Sequence, residues 1–507
     1  MWHLLVSFVL AALAYRHFTR KLPSRDGARL KSAPGRLPFL GHALKFIRPR
    51  HELFDWFVRC QKQNGLETLE IAVPTLPPGV IITNPVNLEF VLRNEHLISK
   101  GRFVKTRSLD LFGNGIINAS GDLWKAQRKA GLKFFSGSNL DKTVAEILPE
   151  AYSRIKSQLL KHAETGAVID MQAVFLDFTS FVMGHMAYDM DLDSSHPFSK
   201  AFDYASDQIG RRFQNPLYPI TEFLFGSKLH DALIVVRRFG GKIVTKAKQE
   251  RSKAAFDSLI TNDEPTFDTL IDSLMEAFPN PDIVADSALN FLSAGKDTTA
   301  QSFTWTLYAI LRHPEVLKPI REELQVLSAK HRDPSGNLKL TAADLQPANV
   351  PYLMATYYEA LRLYPPIPIE IQECQQDLTL PDGTFLPKDA VVVWCIWAMN
   401  RAKEIYGEDA DVFRPGRWLD EEGRFVNRTH SEFPVFNGGP RACLGRKMAE
   451  QMAMFLMLTT FREFAFTESS SLSGTGAERI PHNSLTLPMD NGLPCVVCKV
   501  DQNIAAA

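Results

Sequence analysis

From Asn280 to His313 the chain carries one uninterrupted helical pattern, and that stretch sets the scale of everything folded around it. Asn280-Pro281-Asp282 is a start signal: a cap residue, proline in the first turn, and an acid where the helix dipole favours one. The pattern ends at Arg312, before His313-Pro314, because proline disfavours helical geometry in the residue ahead of it. Thirty-two residues rise about 48 Å, so this helix must cross a large body. Inside it lies Ser293-Ala294-Gly295-Lys296-Asp297-Thr298-Thr299-Ala300. Glycine and paired threonines weaken a helix interior, which predicts a local opening there.

A second stretch, Phe436-Asn-Gly-Gly-Pro-Arg-Ala-Cys443-Leu-Gly-Arg446, sets one cysteine among glycines and arginines, just ahead of a helical run from Leu444 to Leu456. Gly438 and Gly439 permit a tight loop, and Gly445 lets the backbone approach a bulky group. A cysteine at a helix start beside Arg441 and Arg446 is placed to hold its charge as thiolate. A lone cysteine usually reads as a buried structural thiol. Five fixed positions in one loop argue against that here.

The spacing F-x-x-G-x-R-x-C-x-G, filled by Phe436, Gly439, Arg441, Cys443 and Gly445, resembles the ligand loop of the cytochrome P450 superfamily of heme-thiolate monooxygenases. The resemblance implies a mainly α fold with a small β portion, and heme b (iron protoporphyrin IX) bound by the Cys443 thiolate. Ala294, Gly295, Asp297 and Thr298 match the family's oxygen-side motif. That match implies that Thr298 hydrogen-bonds the oxygen being reduced, while Asp297 connects it to solvent protons. Trp124 and Arg128 share one helix face and match the pair that holds a heme propionate. Glu359 and Arg362, with Arg417 in Phe413-Arg-Pro-Gly-Arg417-Trp418, match a buried triad that supports the cysteine loop. Gln372 stands where relatives commonly carry a propionate-binding arginine. Phe112, Ile116, Ile117, Asn290, Phe291, Ile367, Ile369 and Leu485 are the expected substrate contacts. The activity implied is insertion of one oxygen atom into a C–H bond of an apolar, aliphatic, fatty-acid-like substrate. The motifs look most like fungal alkane and fatty-acid hydroxylases, with tailoring of a fungal secondary metabolite as the alternative. A non-catalytic thiolate-heme sensor would not need Asp297 and Thr298.

The rest of the chain bounds that reading. Charge is balanced at 57 basic and 57 acidic residues, which argues against a nucleic-acid surface. Six cysteines in 507 residues make no disulfide framework, and neither a flavin domain nor a ferredoxin cysteine set is evident. Electrons are therefore expected from NADPH-cytochrome P450 reductase, with cytochrome b5 as a second donor. Trp2 to Tyr15 is apolar and is followed by Arg16, Arg20, Lys21 and Arg25. This predicts a membrane anchor over 1–21, a basic, proline-stiffened hinge over 22–50 and a catalytic domain over 51–507. The charge order predicts the endoplasmic-reticulum membrane with the catalytic domain facing the cytosol. Phe103 to Ile117 lacks clean periodicity and reads as a loop, and Lys246 to Glu264 as a solvated connection.

Overall fold

The computed structural model describes residues 21–74, 76–261, 269–331, 338–469 and 478–500. The fold is mainly α with three small sheets, as the sequence implied. The helices that frame the site are α1 Arg50–Asn64, α2 Pro85–Arg93, α3 Gly101–Phe112, α4 Gly121–Phe134, α5 Met171–Tyr188, α6 Pro197–Gln214, α7 Ser227–Thr261, α8 Pro281–Arg312, α9 Leu317–His331, α10 Pro351–Leu363 and α11 Arg446–Glu463. Twelve strands follow in chain order: β1 Ser24–Arg25, β2 Ala28–Arg29, β3 Leu69–Ile71, β4 Gly79–Ile81, β5 Ile98–Ser99, β6 Ile169–Asp170, β7 Ile369–Cys374, β8 Leu378–Thr379, β9 Thr384–Leu386, β10 Val391–Cys395, β11 Phe464–Glu468 and β12 Pro494–Lys499. They pair in the orders β2-β1-β9-β8, β3-β4-β10-β7-β5 and β11-β12-β6. β4 and β10 are the parallel pair, in register Val80 to Val392.

Helix α8 is the axis of the body. The Asn280 side chain accepts from the Asp282 N–H at 2.8 Å, and Pro281 occupies the first turn, as its sequence predicts. From Ser287 to Ile310 nearly every residue is buried, so the helix is packed on all sides and lies against α5, α7 and α10. Several of its hydroxyls cost little because they bond the preceding turn: Thr304 to the Ala300 carbonyl at 2.9 Å, Thr306 to Ser302 at 2.6 Å, and Ser302 to Thr299 at 2.7 Å.

Two stretches read as irregular are helical. Residues 101–112 form α3 because its first turn is capped from far away. The Glu373 carboxylate accepts from the Arg102 and Phe103 N–H groups at 3.1 and 2.8 Å, supplying the partners that helix starts lack. Residues 246–261 continue α7.

Residues 22–50 are built into the body: Ser24 pairs with Phe385, Trp56 donates to the Pro34 carbonyl at 2.8 Å, and Ala33 is buried. The expected endoplasmic-reticulum anchor is corrected. No helix among the described residues is long and apolar enough to cross a membrane, and the apolar run 2–15 on which the expectation stood lies outside them.

Candidate active site

The site is assembled on a buried ion network. Glu359 and Arg362, one turn apart on α10, are both fully buried, and Arg362 grips the carboxylate with two bonds of 2.8 and 2.7 Å. Arg417 adds a bond of 2.9 Å, the Trp418 indole another of 2.9 Å, and the Arg414 N–H one of 2.8 Å. Burial pushes the Glu359 carboxyl up, yet Arg362, Arg417 and the Arg414 N–H outweigh it and hold it below its ordinary value. Trp418 carries the network outward: its ring lies 4.8 Å from Phe433, which stacks on Tyr358 at 5.4 Å. Phe436 joins this cluster at 6.0 Å from Tyr358, so the cysteine loop rests on a wall of rings.

The loop closes when the Cys443 N–H donates to the Phe436 carbonyl at 2.8 Å. Gly439 has φ of 56°, and a Cβ there would run into the Leu92 carbonyl at the end of α2. Gly439 therefore seats the loop and does not face the cavity. At Gly445 a Cβ would meet no atom within 4 Å, leaving an open face beside the thiol. Cys60, Cys374, Cys395 and Cys495 are buried, whereas Cys443 opens into a cavity of about 500 Å³. Burial pushes the thiol up, against the Gly445 N–H, Arg128 and Arg446. The arginines therefore do not hold it as thiolate by themselves. A metal ion on the sulfur would favour the thiolate. Arg446 is engaged elsewhere, with Glu450 at 2.8 Å and the Tyr358 hydroxyl at 2.7 Å.

Ala294, Gly295, Asp297 and Thr298 line the same cavity. The helix does not open there, since Thr298 donates to the Ala294 carbonyl at 2.6 Å and α8 continues unbroken. Gly295 is explained by packing: a Cβ would strike the Met183 thioether of α5. Asp297 is buried, and Lys296, 1 % exposed, lies 2.7 Å from it and 3.2 Å from Asp203 on α6. The Asp297 Oδ1 is within ion-pair reach of the ammonium but off hydrogen-bond geometry, and it has no other partner. Burial, with Asp203 and Asp207, pushes the Asp297 carboxyl up to about 6 against the pull of Lys296. Burial also opposes the charge on Lys296, but Asp297 and Asp203 outweigh it and hold the ammonium above its ordinary value.

On another wall, Trp124 lies 4.4 Å from the Arg441 guanidinium and 5.8 Å from that of Arg128. Arg128 donates to the Ala442 carbonyl at 2.9 Å, and Arg441 is paired with Glu95 at 2.5 Å. Gln372 is buried in the cavity wall with its Oε1 unpartnered. An accessible thiol, an open glycine face and two arginines beside an indole fit a flat iron macrocycle with two carboxylates.

The cytochrome P450 family profile matches residues 32–492. This chain belongs to the cytochrome P450 family. It is a P450 monooxygenase, with heme b held by cysteine thiolate as the family's defining cofactor. It is 31 % identical to cytochrome P450 86B1 of Arabidopsis thaliana, over 90 % of this chain and 83 % of that one. It is 28 % identical to cytochrome P450 94A1 of Vicia sativa, over 92 % and 91 % of the two chains. It is also 28 % identical to the cytochrome P450 monooxygenase cyp1 of Mycosarcoma maydis, over 95 % and 77 %. These relatives do not single out the fungal branch that the motifs suggested.

Seven expected substrate contacts, Phe112, Ile116, Ile117, Phe291, Ile367, Ile369 and Leu485, line the P450 cavity. Asn290 does not. Its amide is consumed by backbone, donating to Phe112 and Asp286 carbonyls at 2.8 and 2.7 Å and accepting from the Ile117 N–H at 3.1 Å. It ties the end of α3 to α8. Lys296, Met183 and Arg50 also belong to the site, although no motif singled them out. Lys296 was readable as the one charged residue beside Asp297; Met183 and Arg50 left no local signal.

Proposed function

We propose that this P450 hydroxylates fatty-acid-like aliphatic chains, with electrons from NADPH-cytochrome P450 reductase and cytochrome b5. The observation that carries the reading is the cavity wall, where aromatic and branched aliphatic side chains extend from the thiol and Thr298 to Phe46 and Phe57. Such side chains shield a long hydrocarbon from water. Curated relatives with cytochrome P450 names across plants and Mycosarcoma maydis support the class of chemistry.

Cys443 would hold the heme iron through its sulfur, and Trp124, Arg128 and Arg441, with the Gln372 amide, would hold its carboxylates. Bound heme supplies oxygen activation and insertion of one oxygen atom into a C–H bond. The chain's own residues do the rest. The apolar wall positions the substrate, and the Thr298 hydroxyl, held by the Ala294 carbonyl, presents its oxygen to the cavity. Asp297 can take and release a proton near neutrality because its carboxyl sits at about 6. Asp203, 46 % exposed, joins it through Lys296 toward solvent. The exposed Lys129 and Lys447 offer positive charge to an acidic electron donor.

The test is a titration of the heme-loaded protein with fatty acids, alkanes and short aromatic compounds, followed by product analysis with reductase and NADPH. Spectral shifts and hydroxylated products from long aliphatic compounds are expected. Turnover confined to compact aromatic compounds would overturn the reading.

A further inference from the structure

Four cationic side chains line the P450 cavity: Arg50, Lys100, Arg128 and Arg441. Three are accounted for. Lys100 is answered by Glu370 at 2.8 Å and Arg441 by Glu95 at 2.5 Å, while Arg128 lies against the Cys443 loop through the Ala442 carbonyl. Arg50 is different. It is 9 % exposed, and no carboxylate among the described residues lies within ion-pair reach of it. Its one hydrogen bond is a long one, from Nη2 to the Leu485 carbonyl at 3.3 Å. Its guanidinium otherwise lies over the Phe54 ring at 5.4 Å. Burial lowers its pKa to about 10, with Cys395 and Asp207 opposing.

A buried guanidinium facing an apolar cavity without an anion is costly unless something arrives to pair with it. The surroundings favour a negative group. Arg50 opens α1, a helix whose preceding residue, Pro49, makes no side-chain cap, so first-turn N–H groups add to the positive field. Neither Phe54 nor Leu485 belongs to the cysteine loop, whose own cations are engaged.

Resting on the aliphatic-chain reading above, we infer that the substrate carries a carboxylate and that Arg50 binds it, leaving the hydrocarbon to extend toward Thr298 and Cys443. Arg50 is thus a specificity-determining residue. It selects free acids over esters and alkanes of equal length, because a charge-assisted bidentate bond replaces a stranded cation.

The experiment compares hexadecanoic acid with methyl hexadecanoate in spectral titrations of the heme-loaded protein at about pH 8, where the acid is ionised. The parent is expected to bind the acid about tenfold or more tighter than the ester. Arg50→Gln should erase that preference while leaving ester affinity and the carbon-monoxide spectrum unchanged, and Arg50→Lys should keep part of it. If Arg50 only ties down the Leu485 segment, Arg50→Gln weakens acid and ester alike, which overturns the inference. Equal binding of acid and ester by the parent also overturns it and leaves the aliphatic reading standing. If neither compound binds, the aliphatic reading falls and takes this assignment with it.

Discussion

Two buried ion networks flank the P450 cavity, and they are built for opposite behaviour. The Glu359 network surrounds one carboxylate with Arg362, Arg417, Trp418 and the Arg414 N–H, and both members of its central pair are fully buried. Its carboxyl is held below the ordinary range, so it stays charged. The Asp297 network offers its carboxylate one ammonium at an imperfect angle, surrounds it with further carboxylates, and ends at the half-exposed Asp203. Over-satisfaction makes the first a fixed foundation. Under-satisfaction makes the second able to exchange protons near neutrality. Their stability signatures have opposite signs. The Glu359 contribution is present above its unfolded pKa and is lost as pH falls through its depressed folded value. The Asp297 proton-linked contribution is full below 3.8 and is lost as pH rises through about 6.

The largest break in this comparison should come from Arg362→Ala, which strands the Glu359 charge. About 3–5 kcal/mol of stability should be lost, and chemical denaturation with heme content as a second readout would show it. Retention of both would mean that the network is not a foundation. Next in size, Thr298→Ala and Asp297→Asn should lower product formed per oxygen consumed about tenfold or more, with the denaturation midpoint of Thr298→Ala close to the parent's. In the parent, that yield should fall as pH rises through about 6, because fewer Asp297 carboxyls then hold a proton. Asp297→Asn should remove this limb. Gly295→Ala is expected to cost about 1–3 kcal/mol by pressing on Met183, read as a lower melting temperature. The smallest effect is the sharpest. Asp203 raises the Asp297 pKa, so Asp203→Asn should move the limb to lower pH, and an upward shift would contradict the proposed coupling.

What could be read from sequence followed from how local each interaction is. Helix α8 was legible because its start signal lies within three residues. The Glu359–Arg362 pair was legible as one helical turn. Helix α3 was not, since its cap is Glu373, far along the chain. The expected helix opening at Gly295 failed for a related reason: the glycine answers Met183 on another helix, and the threonine hydroxyl satisfies itself one turn back. Asn290 was taken by the backbone of Phe112, Ile117 and Asp286. The second carboxylate of Lys296 comes from α6, and no motif spans that separation.

The sheets carry a consequence for how this enzyme comes into being. Each closes by a pairing between distant parts of the chain: Ser24 with Phe385, Val80 with Val392, and Ile169 with Cys495. Such long loops are slow to close, and while the C-terminal partner is still on the ribosome they cannot close at all. Cys443 is itself a late arrival in synthesis. Heme capture through Cys443 therefore waits until that segment has emerged, and the interval before it is when exposed apolar surface makes the chain prone to aggregate.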